Sequence, residues 1–130
     1  FMNKIIAEIS IGELLDKISI LEIKQEKIKD PGKLKFILKE HSILKDQFDK
    51  NVKSNDKLNE LFQSLKEINA KLWDIEDEKR LCEKEKDFGE NFIKLSRDVH
   101  FLNDDRAKIK LEINNYTGSV IKEIKEYTIY

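Results

Sequence analysis

The side chains best suited to chemistry in this sequence lie on two helical lines. On the first, Asn69, Trp73, Glu76 and Arg80 are spaced 4, 3 and 4 residues apart, which keeps them on one face of an α-helix. On the second, Asn103, Arg106 and Lys110 follow at spacings of 3 and 4. Brought together, these groups would hold a small anionic ligand. Arg106 offers a planar two-pronged donor, Lys110 a point charge and Asn103 an amide. Trp73 would form a stacking wall, and Glu76 would act as acid or base. Glu22 and His41 fall level with each other when residues are counted outward from Asp30-Pro31, and so qualify as supporting groups. Only three of the 25 basic residues are arginine, namely Arg80, Arg97 and Arg106. In a chain where lysine is the default cation, a retained arginine points to a bidentate contact that lysine cannot make.

Each position also has a plainer reading. Arg106 sits at the centre of the apolar arc of its helix. If it is buried it needs an acceptor, for which Glu76, Glu22 and the Asn69 amide oxygen are the candidates. The same residues would equally serve to fix helix register, or the stripe would simply run out into water. Lys79 and His41 read as solvated or structural groups. Of the four carboxylates Asp74, Glu76, Asp77 and Glu78, Asp74, Asp77 and Glu78 share a face, which reads as solvated and paired with Lys71 and Arg80 rather than as a metal site. There is no Glu-x-x-His pair, no phosphate-binding glycine loop, and no Ser-His-Asp or Cys-His arrangement. No metal or other cofactor is therefore expected, and a binding module ranks ahead of an enzyme.

The elements that must position these groups are helices. Ser10-Ile11-Gly12-Glu13 reads as a capping box opening a helix over 11–29, with Leu14, Ile18, Leu21 and Ile28 on one stripe. Ile20 and Ile23 lie on the opposite side, so this helix is expected to be covered twice or to sit at an interface. Asp30-Pro31 restarts the chain into a second helix over 32–52, with Leu34, Ile37, Leu44 and Phe48 inward. A third helix over 55–86 carries Leu58, Leu61, Leu65, Ile68, Leu72, Ile75 and Cys82 in near-heptad spacing. Asp87-Phe88-Gly89-Glu90 suggests a weaker capping box. It opens a fourth helix over 88–116, with Phe88, Phe92, Leu95, Val99, Leu102, Ile109 and Ile113 inward and Gly118 as its stop. Counting from that turn places Arg106 level with Asn69, and Asn103 level with Trp73. Short connections make neighbours antiparallel, so the expected fold is an all-α four-helix bundle with a long helical hairpin. Ile5 to Ile9 and Tyr127-Thr128-Ile129-Tyr130 have strand chemistry, which adds the expectation of a minor two-strand pairing, while the tail from Ser119 has the option of a helical start.

Composition bounds the function classes. With 25 basic against 26 acidic residues there is no electrostatic footprint for nucleic acid, and no basic amphipathic face suits an anionic membrane. A lone Cys82 excludes an internal disulfide framework, and no apolar run reaches membrane-span length, so a cytoplasmic protein is expected. Phe1 precedes Met2, so the native domain is expected to cover residues 2–130 as a single unit.

Three segments carry a resemblance. They are Ser10-Ile11-Gly12-Glu13-Leu14-Leu15-Asp16-Lys17 running on to Ile20-Leu21-Glu22-Ile23-Lys24, then the stretch around Leu72-Trp73-Asp74-Ile75-Glu76-Asp77, and finally Asn103-Asp104-Asp105-Arg106-Ala107 through Lys110 to Asn114. Together they resemble an uncharacterised bacterial family known only as a domain of unknown function. The resemblance implies a stand-alone module of about this length and brings no activity, cofactor or catalytic residue. The leading expectation is a small binding or assembly module, a homo-oligomer or the companion of a protein partner, acting through its long helical pair. The competing expectation is an anion-binding pocket around Arg106.

Overall fold

The computed structural model describes residues 3–119 and 124–130. Phe1, Met2 and residues 120–123, on which the expected helical start of the tail falls, lie outside them. Four helices form the expected all-α bundle: α1 (Ile11–Lys27), α2 (Pro31–Asn51), α3 (Asp56–Glu85) and α4 (Glu90–Thr117). Ser10 caps α1 by accepting from the Glu13 amide at 3.0 Å. Asp30 caps α2 by accepting from the Lys33 amide at 2.8 Å, with Pro31 in the first turn. Asn55 caps α3 through the Leu58 amide at 3.0 Å. Helix α4 stops at Gly118, whose φ of 69° is cheap only without a Cβ.

Two expected caps differ. The Glu13 carboxylate does not return to the Ser10 amide, because it reaches Lys110 Nζ at 2.7 Å instead. The Asp87–Glu90 box does not form either. Gly89 is the N-cap of α4 and its amide donates to Asp87 Oδ1 at 3.2 Å. The expected strand pairing is absent among the described residues. Ile5 and Ile129 are 97% and 96% exposed. The Ile11 amide donates to Ser119 Oγ at 3.3 Å, so the entry to α1 lies at the exit of α4. Tyr130, in contrast, lies back along α4 against His100. Ser119 and His100 are roughly 28 Å apart at 1.5 Å of rise per residue, which keeps the two segments apart.

Helix α1 is central. It packs on α2, α3 and α4, whereas α2 packs on α1 alone and α3 pairs with α4. Its two-sided apolar pattern is thereby accounted for: Leu14, Ile18 and Leu21 are buried on one line and Ile23 on another. Leu14, Leu15, Ile18, Phe48, Leu58, Leu61, Leu65 and Ile113 form the core cluster, each contributing roughly 1.5–3 kcal/mol by leaving water.

The hairpin outruns this core. Helix α3 has 30 residues and α4 has 28, against 17 in α1. At 1.5 Å per residue that is about 45 Å against about 26 Å. The core cluster takes nothing from α3 beyond Leu65 and nothing from α4 before Ile109. Further out, Cys82 and Leu95 are buried between the two helices, while Ile75, Val99 and Leu102 are half-buried. Leu81, Phe88, Ile93 and Phe101 stay 52%, 49%, 54% and 40% exposed. Phe88, expected inward, instead packs edge-on against Phe92 near the tip, where two helices alone cannot enclose it. Among the described residues no helix is long and apolar enough to cross a membrane.

Candidate functional site

The polar centre of the molecule is built on a stripe of α1 that apolar patterning passes over. Gly12, Asp16, Ser19 and Ile23 follow at spacings of 4, 3 and 4, and all are buried. This stripe faces the line Asn103, Arg106, Lys110 and Asn114 on the antiparallel α4. Gly12 sets the distance between the helices. A Cβ there would lie 2.6 Å from the Lys110 carbonyl oxygen and 2.8 Å from Asn114 Oδ1. The Gly12 amide, left unpaired by its place in the first turn, donates to that same Asn114 oxygen at 2.7 Å.

One turn further along α1, Asp16 is 2% exposed and gathers four groups. Arg106 grips it bidentately, Nε to Oδ1 at 3.0 Å and Nη2 to Oδ2 at 2.5 Å. Asn69 donates Nδ2 to Asp16 Oδ1 at 2.8 Å and to Ser19 Oγ, also at 2.8 Å, so both amide hydrogens are used. The Ser19 hydroxyl donates to the Asp16 carbonyl at 2.7 Å. Lys110 Nζ stands 3.9 Å from Asp16 Oδ2 and donates to Glu13 at 2.7 Å. The carboxylates of Asp16 and Glu13 thus face the cations of Arg106 and Lys110. Burial alone would raise the Asp16 carboxyl. Hydrogen bonds from Arg106 and Asn69, with the charges of Arg106 and Lys110, outweigh it and hold the group below its ordinary value.

The expected groups are only partly brought together. Asn69, Arg106 and Lys110 meet at Asp16, and Asn103 joins through its Oδ1, which accepts from Arg106 Nη1 at 3.4 Å. The acceptor for Arg106 is Asp16, not Glu76, Glu22 or the Asn69 oxygen. Asn69 also turns its donor inward rather than its acceptor. Trp73 is half-buried, with no hydrogen bond or ring contact to the cluster among the described residues. Glu76 and Arg80 are exposed and pair with each other at 2.9 Å. Their helical face is the anticipated one, but α1 reaches α3 only as far as Asp74, where Lys27 meets it at 3.5 Å. Past that point nothing on α1 covers the line. Glu22 and His41 do meet, at 3.2 Å, in a separate half-buried cluster where Lys66 bridges Glu22 at 3.3 Å and Glu26 at 3.0 Å.

Chemically, the edge of Arg106 that would receive an anionic ligand is filled from within by Asp16. An external anion at that edge must first displace a buried carboxylate. Among the described residues no group of three or more His, Cys, Asp or Glu side chains is placed to hold a metal ion.

Fold and site together define a small all-α domain in which one central helix is clamped to a long hairpin by a buried ion pair. The chain belongs to the family of unknown function DUF6165, whose model matches residues 5–130. All three resembling segments lie inside that span. No curated protein and no solved structure matches the chain.

Proposed function

We propose that this chain is a helical assembly module that self-associates through the outer part of its α3–α4 hairpin. The observation that carries the proposal is the reach of that hairpin beyond the core, with Leu81, Phe88, Ile93 and Phe101 exposed on it. Two helices bury one stripe each, and an isolated pair is marginal in water, so an apolar arm of this kind gains by being covered.

The occupant that fits is a second copy. Two adjoining grooves run along the arm. One, of about 400 Å³, is lined by Lys71, Asp74, Ile75, Asp98, Phe101 and Leu102. The other, of about 410 Å³, adds Glu90, Ile93, Lys94 and Arg97 and shares Asp98 and Phe101. The strip therefore has an apolar centre and a rim of both charge signs. A twofold contact sets a surface against itself, and a rim of mixed sign lets opposite charges meet there where a rim of one sign would repel. The Asp16 cluster serves this reading as a clamp that stiffens the base from which the arm projects.

Sedimentation equilibrium on the full chain tests the proposal. Self-association is expected, and Phe101→Glu with Ile93→Glu should abolish it while leaving the helical circular dichroism signal unchanged. A parent chain that stays monomeric up to about 1 mM, a contact worth less than about 4 kcal/mol, would overturn it. So would an oligomer indifferent to both substitutions.

A further inference from the structure

Resting on that reading, we infer that the segment 124–130 is a strap that competes with the second copy for the arm. Tyr130 lies on α4 at the edge of the proposed interface. Its ring meets His100 edge-on with centroids 5.2 Å apart, and Phe101 in the same manner at 5.3 Å. Its hydroxyl donates to Asp104 Oδ2. Phe101 is the aromatic residue common to both grooves, so the ring of Tyr130 stands on the side chain a second copy would need to cover.

The strap is built to lift. Tyr130 remains 71% exposed on its seat, and its neighbours Tyr127 and Ile129 are 68% and 96% exposed. The contacts of Tyr130 itself among the described residues are two edge-on ring contacts and one hydrogen bond at the surface, while Lys125 lies further along α4 beside Lys110 and Asn114. Contacts of that size are nearly cancelled by the entropy of ordering the residues that lead to them. The closed state is therefore populated without being dominant. Because a twofold contact needs both arms open, a seated strap lowers apparent affinity in proportion to the square of the fraction of arms left open. For a closed fraction between about one third and two thirds, freeing both straps tightens association about two- to tenfold.

Sedimentation equilibrium on the full-length Tyr130→Ala variant is the test. The substitution removes the seat contacts at an exposed position and should tighten self-association about two- to tenfold, with Tyr130→Phe falling between parent and Tyr130→Ala. Equal association constants for parent and Tyr130→Ala would overturn the strap and leave the assembly reading standing. Weaker association in Tyr130→Ala would also overturn it, since Tyr130 would then belong to the interface. If neither parent nor variant associates up to about 1 mM, the assembly reading falls and the strap falls with it.

Discussion

Replacing Asp16 by Asn tests the clamp most directly. The substitution keeps the size of the side chain and removes the charge. Arg106 then faces a neutral amide, and Lys110 loses the Asp16 charge while keeping Glu13. Removing one partner of a buried ion pair typically costs about 3–5 kcal/mol, because the other charge is left without compensation. The Arg106 side chain is 28% exposed and can turn part of its guanidinium to water, so the expected loss here is about 2–4 kcal/mol. For a 130-residue chain the unfolding entropy is about 0.27 kcal/mol per kelvin. The midpoint should thus fall by roughly 7–15 °C. Urea unfolding followed by circular dichroism gives the free energy. A cycle with Arg106→Met and the double variant isolates the pair, with a coupling of about 1.5–3 kcal/mol expected. A loss under about 0.5 kcal/mol for Asp16→Asn, or a coupling near zero, would refute the clamp and return Asp16 to the ranks of ordinary polar residues.

The remaining predictions follow from the same contacts. Gly12→Ala places a methyl group 2.6 Å from the Lys110 carbonyl, which is backbone and cannot swing aside. It should destabilise by about 1–3 kcal/mol in urea melts, despite the better helix propensity of alanine. Asp16 sits below its ordinary value of 3.8, so the unfolded chain binds the proton more readily than the folded one. The stabilisation from Asp16 is then complete above about pH 5, and is lost as pH falls below about 4 through the depressed folded value. Urea midpoints measured from pH 6 downward should accordingly fall less steeply for Asp16→Asn than for the parent.

The four helices were legible because Ser10, Asp30-Pro31, Asn55 and Gly118 mark their ends and the apolar spacing fills them. Two layer pairings were legible too. Asn69 and Arg106 meet on one oxygen of Asp16, and Glu22 meets His41. The hub itself was not. An apolar-arc reading orders α1 by Leu14, Ile18 and Leu21, sets Ile20 and Ile23 opposite, and passes over Asp16 on that second side. The hairpin covers that second side, and the side of α1 that faces water at this level is the one carrying Lys17. The usable signal was Gly12, Asp16 and Ser19 at spacings of 4 and 3, a small-and-polar stripe opposite an apolar one. Glu76 and Arg80 failed for a different reason. Their helical face was right, but the spacing rule contains no information on where a neighbouring helix stops. The terminal strands had suitable residues and no partner within reach.

The central place of α1 has a consequence for synthesis. Its polar stripe is translated well before its partners: Asp16 and Arg106 are 90 residues apart, and Gly12 and Asn114 are 102 apart. Helices α3 and α4 adjoin along the chain and close over a short loop, a fast local step. Helix α1 must wait in water until Arg106, Lys110 and Asn114 have left the ribosome. An unpaired Asp16 makes premature burial of that helix against α2 and α3 alone unfavourable. The buried carboxylate thus acts as a check on assembly, permitting α1 to lock only on a chain that already holds α4.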